Sequence, residues 1–374
     1  MKKRFNYTLL FLVFGLVGFS MLFFFLLSGP LALQRFNNTY FYFLHQLVYG
    51  LAPAIIFGLV AYFIPLEYIK KWAPFVVLVN IVFLFLVFIP GIGIKAGGAS
   101  RWLNFGGFTI QPAEFLKISS ILYLSAWIAS KFEDEDASGW KSNIKKSYHN
   151  IIYILAPFLI FLGIIFFGLL LQKDASTMGI ITLTLLAVYF SAKTPIWHTL
   201  LIVFAGLSLL FFMVKFEPYR LDRWLVFLNP GQDPLGAGHQ ITQSIMSLGS
   251  GGFFGKGLGM SAQKFYLPES MTDSIFAIIG EELGLIGCVV IAGLFIALFW
   301  QGIRIYRTSN DKFSKLTAIG IVFWISLQTL INMSSVAGIF PLAGIPLPFF
   351  SYGGSHLAVE LIGMGLLLNI SKHS

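Results

Sequence analysis

The chain is predicted to be an all-α polytopic membrane protein of about ten transmembrane helices, with one long extracytoplasmic loop between helices 7 and 8. Hydrophobic residues make up 57% of its 374 residues and charged residues only 11%, more apolar surface than a soluble domain can bury. Ten apolar segments approach the ~20 residues that a helix needs to cross a bilayer. They are Thr8–Leu27, Leu44–Phe63, Ala73–Pro90, Ala113–Ser130, Ile151–Leu171, Thr177–Ala192, Trp197–Val214, Ser274–Trp300, Leu316–Val336 and Gly354–Ile370. We treat residues 1–374 as a single transmembrane domain, with residues 215–272 as the long loop.

The distribution of lysine and arginine predicts the orientation in the membrane. With a cytoplasmic N-terminus, the inner segments hold 15 of these residues, and the short outer loops hold four: Arg35, Lys95, Arg101 and Lys173. Cytoplasmic loops of membrane proteins carry the excess of positive charge, so both termini are predicted to be cytoplasmic. The net charge of +9 then reflects this asymmetry and contact with anionic membrane lipid. We infer no nucleic-acid partner from it.

The first of three irregular outward-facing regions covers residues 91–112. Its glycines permit a folded, re-entrant or surface turn, and Pro112 is favourable at the first position of the helix that follows. Glu114 and Lys117 come next, at i and i+3 on one helix face. They form either an ion pair that closes a helix contact or part of the wall of a polar cavity.

The second irregular region is the loop of residues 215–272, far longer than a usual connection. Gln240–Leu248 has the pattern of a short amphipathic helix that lies against the membrane face. Gly249–Gly259 is rich in glycine but lacks the lysine-serine ending of a phosphate-binding loop, so we expect a flexible hinge there. Positive and negative charges cancel over Lys215–Asp273. No basic patch therefore indicates an anionic ligand.

The third irregular region is Ala337–Gly353. Its prolines and glycines predict a non-helical segment at membrane depth, which is tolerated only where protein or a watery cavity surrounds it. Glu360 follows, deep in the last predicted helix, and an intramembrane carboxylate is a functional candidate by default. An interhelical hydrogen bond made by the protonated group is the alternative.

Asp273 comes directly before the predicted helix Ser274–Trp300. One interpretation is structural: an Asp in this place caps the helix by accepting hydrogen bonds from the amides of its first turn. The other is catalytic, because a carboxylate at a polar-apolar boundary is a candidate for acid-base chemistry. The spacing alone favours neither.

The helix after Asp273 carries further small and acidic residues. Gly280, Gly284 and Gly287 lie at i, i+4 and i+7 and predict a stripe for close helix packing. Glu281 and Glu282 project in different directions from that helix. We interpret both as structural or cavity-lining rather than catalytic.

Several motifs resemble those of the SEDS family of cell-wall polymerases. They are RWLN at 101–104 with QPAE at 111–114, NP at 229–230 with DP at 233–234, YLPE at 266–269 with TD at 272–273 and IFAIIGEELGLIG at 275–287, and LPFFSYGGS at 347–355. The similarity runs from the first helix to the last. QITQS at 240–244 is more typical of the division-type than of the elongation-type members.

The resemblance implies a ten-helix fold and a peptidoglycan glycosyltransferase acting on lipid II. It also implies a class B penicillin-binding protein, a transpeptidase, as partner, together with other divisome membrane proteins. The implied location is the bacterial cytoplasmic membrane at the division septum. By position, the family's essential loop aspartate falls on Asp273, and its cavity Glu and Lys fall on Glu114 and Lys117. This chain departs from the family in having Met271 where His is usual and Ser274 where Phe is usual.

The implied reaction assigns roles to these residues. A base must take a proton from the acceptor sugar's hydroxyl while a lipid pyrophosphate leaves the donor carbon with inversion, and we interpret Asp273 as this base. The leaving pyrophosphate requires neutralisation by cations. The candidates for substrate binding are Glu114 and the cations Arg101, Lys117, Arg220, Arg223 and Lys264. The sequence contains no cofactor-binding motif and no cluster of metal-ligating residues. A divalent cation is still possible, because an ion that bridges the carboxylate and the pyrophosphate needs few protein ligands.

Two alternatives come from other functional classes. A lipid II flippase would also display broken segments and intramembrane charges, although no repeat relates the two halves and the polar residues concentrate at one face. A non-catalytic divisome scaffold would position a partner enzyme through apolar helix surfaces. In that case its outer carboxylates would be dispensable.

Overall fold

The computed structural model describes residues 6–96, 99–106, 108–131, 155–192 and 219–372, and in addition residues 198, 202 and 206. The helices of this part are α1 (Tyr7–Phe36), α2 (Phe41–Phe63), α3 (Leu66–Leu86), α4 (Pro112–Lys131), α5 (Ala156–Leu171), α6 (Ala175–Ser191), α7 (Tyr219–Leu228), α8 (Ala237–Ser250), α9 (Ile275–Thr308), α10 (Lys312–Val336) and α11 (Gly354–Ser371). A π-helical segment, Gln46–Leu51, lies inside α2. Short 3₁₀ turns cover Pro230–Gln232 and Gln263–Phe265. Three strands form one sheet: β1 (Gly93–Ala96), β2 (Ala99–Asn104) and β3 (Thr109–Ile110).

The predicted transmembrane segments are helical wherever the chain is described. Nine of the ten correspond to α1–α6 and α9–α11, whereas the predicted helix Trp197–Val214 falls outside the described residues except for isolated positions. By length and composition, α1, α2, α3, α9, α10 and α11 can cross a membrane, and α5 and α6 are shorter apolar helices. The predicted orientation of the termini stays a prediction.

The helices differ in how much of their surface the protein itself covers. In its most apolar stretch, 89% of α11 is buried, against 17% of α2. α4 is also interior, with Glu114 and Lys117 among its buried residues. The outer helices expose large apolar side chains, such as Phe14 on α1 and Phe63 on α2, as expected of surfaces that face lipid. The interior of the bundle is therefore where α4, α10 and α11 meet.

The region before α4 folds into a small antiparallel sheet rather than an irregular turn. β1 pairs with β2, with Gly93 opposite Leu103, and β2 pairs with β3, with Leu103 opposite Ile110. Leu103 is fully buried and fixes the sheet on the bundle. The amide of Gln111 then donates to Ser355 Oγ on α11 (3.2 Å). This sheet carries Arg101 to the candidate site.

The glycine-rich stretch 249–259 is docked on α9, so the predicted flexible hinge is wrong. α9 breaks at Gly284, which has φ 66° and ψ −166°, a backbone conformation that favours glycine. The break leaves helix carbonyls and amides without their usual partners. The loop supplies replacements: Lys256 N donates to Glu281 O (2.9 Å), Gly257 N to Glu282 O (3.0 Å), and the carbonyl of Gly252 accepts from Leu285 N (2.9 Å). The predicted stripe of glycines on α9 therefore packs against the long loop at Gly280 and Gly284 rather than against another membrane helix.

The side chains of Glu281 and Glu282 reinforce this docking, which agrees with their predicted structural role. Glu281 pairs with Lys256 (2.7 Å) and accepts from Ser261 Oγ (2.5 Å). Glu282 accepts from the amides of Gly259 (2.8 Å) and Ser261 (3.2 Å). Both carboxylates are buried, so they close the loop onto α9.

The predicted amphipathic helix is confirmed as α8, and its position against the membrane face stays a prediction. Asp233 caps its start by accepting hydrogen bonds from the amides of Gly236 (3.0 Å) and Ala237 (2.7 Å). One side of α8 packs against α9, where Ser247 Oγ donates to Ala277 O (3.1 Å). The other side exposes Ile245 and Met246.

α2 and α11 approach each other closely at two glycines. A Cβ atom at Gly365 would lie 2.1 Å from Gly58 O, a backbone atom that cannot swing away. We therefore expect Gly365→Ala to lower the free energy of unfolding by about 1–3 kcal/mol. Thermal melting in detergent measures this change.

Gly293 provides the matched control for that substitution. It lies in α9, and a Cβ atom added there would meet no atom within 4 Å. Because alanine has the higher helix propensity, Gly293→Ala should melt at the same temperature as the wild type or slightly above it. Equal melting of Gly365→Ala and Gly293→Ala would contradict the close approach of α2 and α11.

Candidate active site

Asp273 does not cap α9, so the structural interpretation of this residue is wrong. The helix begins at Ile275 and its N-cap position is Ser274, whose side chain makes no capping bond. Glu269 adopts a left-handed conformation with φ 51°, and its carbonyl accepts from the amides of Thr272 and Ser274, both at 3.1 Å. The chain thus coils into a turn of its own before the helix starts. Asp273 belongs to this turn, which leaves its carboxylate free of the helix amides.

Neighbouring elements hold the backbone on both sides of the Asp273 side chain. Asn332 of α10 donates from Nδ2 to Asp273 O (2.8 Å). Ser351 Oγ donates to Thr272 O (2.7 Å), and Tyr352 N donates to Met271 O (2.8 Å). All three carbonyls from 271 to 273 are therefore bound. Within the described part of the chain no hydrogen bond is recorded to the Asp273 carboxylate, so it can accept one from a ligand.

Burial and charge set the protonation of Asp273. The carboxylate is half-buried, and its pKa is raised from 3.8 to about 7. Desolvation is the largest cause of the higher pKa, and the negative charges of Glu269 and Asp174 add to it. The guanidinium groups of Arg101 and Arg223 act in the opposite direction. A carboxylate with a pKa near neutrality can both take and release a proton at working pH.

Arg101 and Asp174 reach the site through the connection between α5 and α6. Arg101, on β2, donates from Nε to Gln172 O (3.2 Å) and from Nη2 to Lys173 O (2.6 Å). Lys173 is left-handed, with φ 54°, and turns the chain so that Asp174 caps α6 at Thr177 N (3.2 Å). The sheet and this connection are thus joined beside Asp273.

Arg223 reaches the site from α7, in the long loop. Its side chain is exposed, and Nη1 donates to Leu342 O (3.3 Å). Gly344 follows with φ +62°, and a Cβ atom there would lie 3.6 Å from Asp273 Oδ2. The segment 342–344 therefore forms one wall of the site. Arg220 lies on the same helix, but its side chain is outside the described part of the structure.

Glu114 and Lys117 form a buried ion pair beneath the segment Ala337–Gly353. Lys117 Nζ lies 2.8 Å from Glu114 Oε2, and both side chains are at most 4% exposed. Lys117 also donates to Oε1 of Gln328 (2.9 Å). The Nε2 of the same Gln328 donates to Pro346 O (3.0 Å). Glu360 accepts from Phe349 N (2.7 Å) in the same segment. The pair reaches the site through this segment and has no recorded contact with Asp273.

Lys264 lies apart from the Asp273 cluster. Its ammonium donates to Gly259 O (2.8 Å) and is buried. Desolvation lowers the pKa of Lys264, although the negative charges of Glu282 and Glu281 act against this. The structure therefore associates Lys264 with the docked loop on α9.

Two residues of the site, Asp174 and Asn332, were not among those predicted from the sequence. The side chain of Asp174 caps α6. Asn332 was one polar residue within an apolar helix, yet it donates to both Asp273 O and Ile345 O at 2.8 Å. In the described part of the chain, no group of three or more His, Cys, Asp or Glu side chains is arranged to hold a metal ion.

Comparison with known proteins gives consistent similarities. Residues 7–374 match the family model FTSW_RODA_SPOVE, described as "Cell cycle protein". The chain is 37% identical to the "Probable peptidoglycan glycosyltransferase FtsW" of Trichlorobacter lovleyi, over 98% of this chain and 93% of the relative. It is also 37% identical to "Stage V sporulation protein E" of Bacillus subtilis, over 98% and 95%.

A solved structure shares the fold. It is described as "Structural coordination of polymerization and crosslinking by a peptidoglycan synthase complex", and one of its chains matches with a TM-score of 0.77 and 23% identity. The match covers 98% of each chain. At this identity the likeness concerns the fold.

The raised pKa of Asp273 predicts a pH-dependent effect on stability. The folded protein keeps the carboxyl proton up to about pH 7, whereas the unfolded chain loses it near pH 3.8. Ionisation therefore lowers the free energy of unfolding progressively between these values, and fully above pH 7. Asp273→Asn removes this penalty.

Melting in detergent from pH 4 to pH 9 tests the effect. The melting temperature of Asp273→Asn should exceed that of the wild type by an amount that grows up to about pH 7 and then stays constant. A difference independent of pH, or a variant that melts lower at pH 8, would contradict the raised pKa.

Proposed function

Because this chain belongs to the FtsW/RodA/SpoVE family of cell cycle proteins, we propose that it is a peptidoglycan glycosyltransferase that polymerises lipid II into glycan strands during cell division. Relatives from several bacteria, 35–38% identical to this chain, are named probable peptidoglycan glycosyltransferases. Membership of the family supports a multi-pass membrane protein. Location in the bacterial inner membrane at the septum, with cytoplasmic termini, is part of the proposal.

The observation that carries the proposal is the state of Asp273. Its carboxylate is half-buried, has a pKa of about 7 and has no recorded hydrogen bond to a described residue, although its backbone is firmly held. As general base, ionised Asp273 accepts the proton of the acceptor sugar's hydroxyl while that oxygen bonds to the donor carbon. The bond from this carbon to the lipid pyrophosphate breaks at the same time, and the pyrophosphate departs on the opposite face.

Two arginines near Asp273 are suited to bind the pyrophosphate that leaves. Arg101 and Arg223 approach from different elements, and their charges act on Asp273. Guanidinium groups bind phosphate oxygens through several N–H donors and keep their charge at any working pH. We assign them to the pyrophosphate.

The remaining predicted binding residues act from further away. The Glu114–Lys117 pair lies beneath the segment 345–351 and supports it through Gln328, so its effect on substrate passes through that segment. Lys264 is bound to its own loop. Arg220 stays a predicted pyrophosphate ligand.

A divalent cation is a further part of the proposal. Asp273 is subject to the charges of two other carboxylates, Glu269 and Asp174. A cation that arrives with the pyrophosphate would reduce this repulsion and would need few protein ligands. Loss of polymerisation with a chelator and its recovery with Mg²⁺ would support this part.

The proposed partner is a class B penicillin-binding protein. A chain of similar fold comes from a complex that coordinates polymerization and crosslinking, and a transpeptidase partner would supply the second of these activities. Other divisome membrane proteins complete the expected assembly. The similarity to a sporulation protein leaves the cellular process to be tested by depletion during vegetative division.

Polymerisation of purified lipid II tests the function. We expect the wild type, reconstituted with a transpeptidase-defective partner, to make long glycan, and Asp273→Asn to lose the rate that a general base supplies, about 10²–10⁴-fold. The matched control is Asp311→Asn: Asp311 caps α10 at Phe313 N (2.8 Å), and asparagine caps equally well. It should retain wild-type activity.

The alternatives give different outcomes in this assay. Equal product from the wild type and Asp273→Asn would exclude Asp273 as the base. If neither protein makes glycan while lipid II crosses the membrane of proteoliposomes, the chain is a flippase. If neither activity appears and the partner alone polymerises, it is a scaffold.

The pH dependence of the rate tests the role of Asp273 separately. Because the ionised form is the base, the rate should rise with pH up to about 7 and then level off. Glu269→Gln removes a negative charge that raises the pKa of Asp273, so the inflection should move to lower pH. Arg223→Gln removes a positive charge and should move it to higher pH. If the inflection moved in the same direction in both variants, or in neither, the assignment of Asp273 as the general base would be contradicted.

A further inference from the structure

The loop docked on α9 exposes large apolar side chains that the proposed chemistry does not use. Phe253 is 69% exposed and Phe254 83% exposed. Next to them on α9, Leu285 and Ile286 are 52% and 49% exposed. The carbonyl of Phe253 accepts from Ile286 N (3.2 Å), so the four side chains lie at one level of the helix.

The length of α9 places this level at the edge of the hydrocarbon layer. Arg304 is exposed near the other end of the helix, and an arginine in that place marks a boundary between membrane and water. The helix from Leu285 to Arg304 is about 30 Å long, which matches the thickness of the hydrocarbon core. The break at Gly284 therefore coincides with the second boundary.

The two parts of α9 have different surroundings on either side of this break. From Ile275 to Glu282 every residue is buried within the protein. Beyond Gly284 the helix exposes an apolar face that includes Val289 and Val290. Phe253 and Phe254 extend that face outward along the loop.

Several polar groups of the loop are bonded within the protein, which lowers the cost of placing the loop next to lipid. Its backbone bonds to the helix break through Lys256 N, Gly257 N and the carbonyl of Gly252. The charge of Lys256 is paired with Glu281 at 2.7 Å. In hydrocarbon, such internal bonds replace those to water. A paired charge also offers little to attract a charged protein partner.

We propose that the loop of residues 251–260 lies at the edge of the hydrocarbon of the lipid leaflet on the Asp273 side, and that the side chains of Phe253 and Phe254 insert into the lipid and anchor it there. The occupant of this surface is lipid, because the surface is continuous with the lipid-facing side of α9. This anchor is independent of the proposed glycosyltransferase activity. It fixes the long loop, and with it α8, at a defined depth.

Spin-label accessibility in liposomes tests the anchor. In a Cys288→Ser background, which removes the single native cysteine, a nitroxide is attached to Phe254→Cys and its collisions with oxygen and with a water-soluble nickel complex are compared. Val290→Cys is the control for lipid. Gln232→Cys, at an exposed polar position of the long loop, is the control for water. Phe253→Cys gives a second reading if the first variant folds poorly.

We expect the oxygen-to-nickel ratio at Phe254 to approach that at Val290, which lies deeper along α9, and to exceed that at Gln232 severalfold. A ratio equal to that at Gln232 would place the loop in water and overturn the proposal. Low access for both reagents would indicate a protein cover, such as a second copy of this chain, and would overturn it as well.

Discussion

The non-helical segment Ala337–Gly353 stays inside the bundle because side chains of neighbouring helices bind its backbone. Polar backbone groups without partners are costly where water is excluded. Gln328 and Asn332 on α10 donate to the carbonyls of Pro346 and Ile345, and Glu360 on α11 accepts from Phe349 N. The site depends on this arrangement, since Asn332 also binds the carbonyl of Asp273.

The break in α9 also leaves backbone polar groups that need hydrogen-bond partners. α9 loses its helical conformation at Gly284, and the docked loop supplies hydrogen bonds to the groups released there. The buried carboxylates of Glu281 and Glu282 bind further amides and a lysine of the loop. The segment Ala337–Gly353 bonds the turn that carries Asp273, and the docked loop fixes α9, which begins directly after that turn. These bonds explain how a turn residue can hold a defined position.

The surroundings of Asp273 disfavour its ionised form, and this makes the residue suitable as a general base near neutral pH. A carboxylate removed from water and near other carboxylates gains affinity for a proton, and this raises its pKa to about 7. The penalty is tolerated because the rest of the turn is well bonded. Arg101 and Arg223 limit the rise in pKa, so the ionised form is still present at neutral pH. A base at such a site combines adequate strength with the correct protonation state.

The sequence by itself determined the features that depend on local composition and spacing. The bilayer demands a run of about 20 apolar residues wherever a helix crosses, so the helices could be predicted wherever the chain is described. The spacing of Glu114 and Lys117 placed them on one helix face, so an ion pair was one of the two interpretations open to them, and the structure contains that pair. The amphipathic pattern of 240–248 likewise predicted α8.

Only the tertiary structure decided how distant segments meet. The sequence left Asp273 open between a helix cap and a catalytic carboxylate, and the structure excludes the cap because the turn of Asp273 is closed by its own hydrogen bonds to Glu269 O. Arg101, Asp174 and Arg223 come from three separate parts of the chain, and no sequence period relates them. The stretch 249–259 looked flexible because its glycines lack side chains, yet those glycines permit the close approach to α9. Contacts of this kind arise from helix packing and from the need to satisfy buried polar groups, and both depend on the whole fold rather than on neighbouring residues.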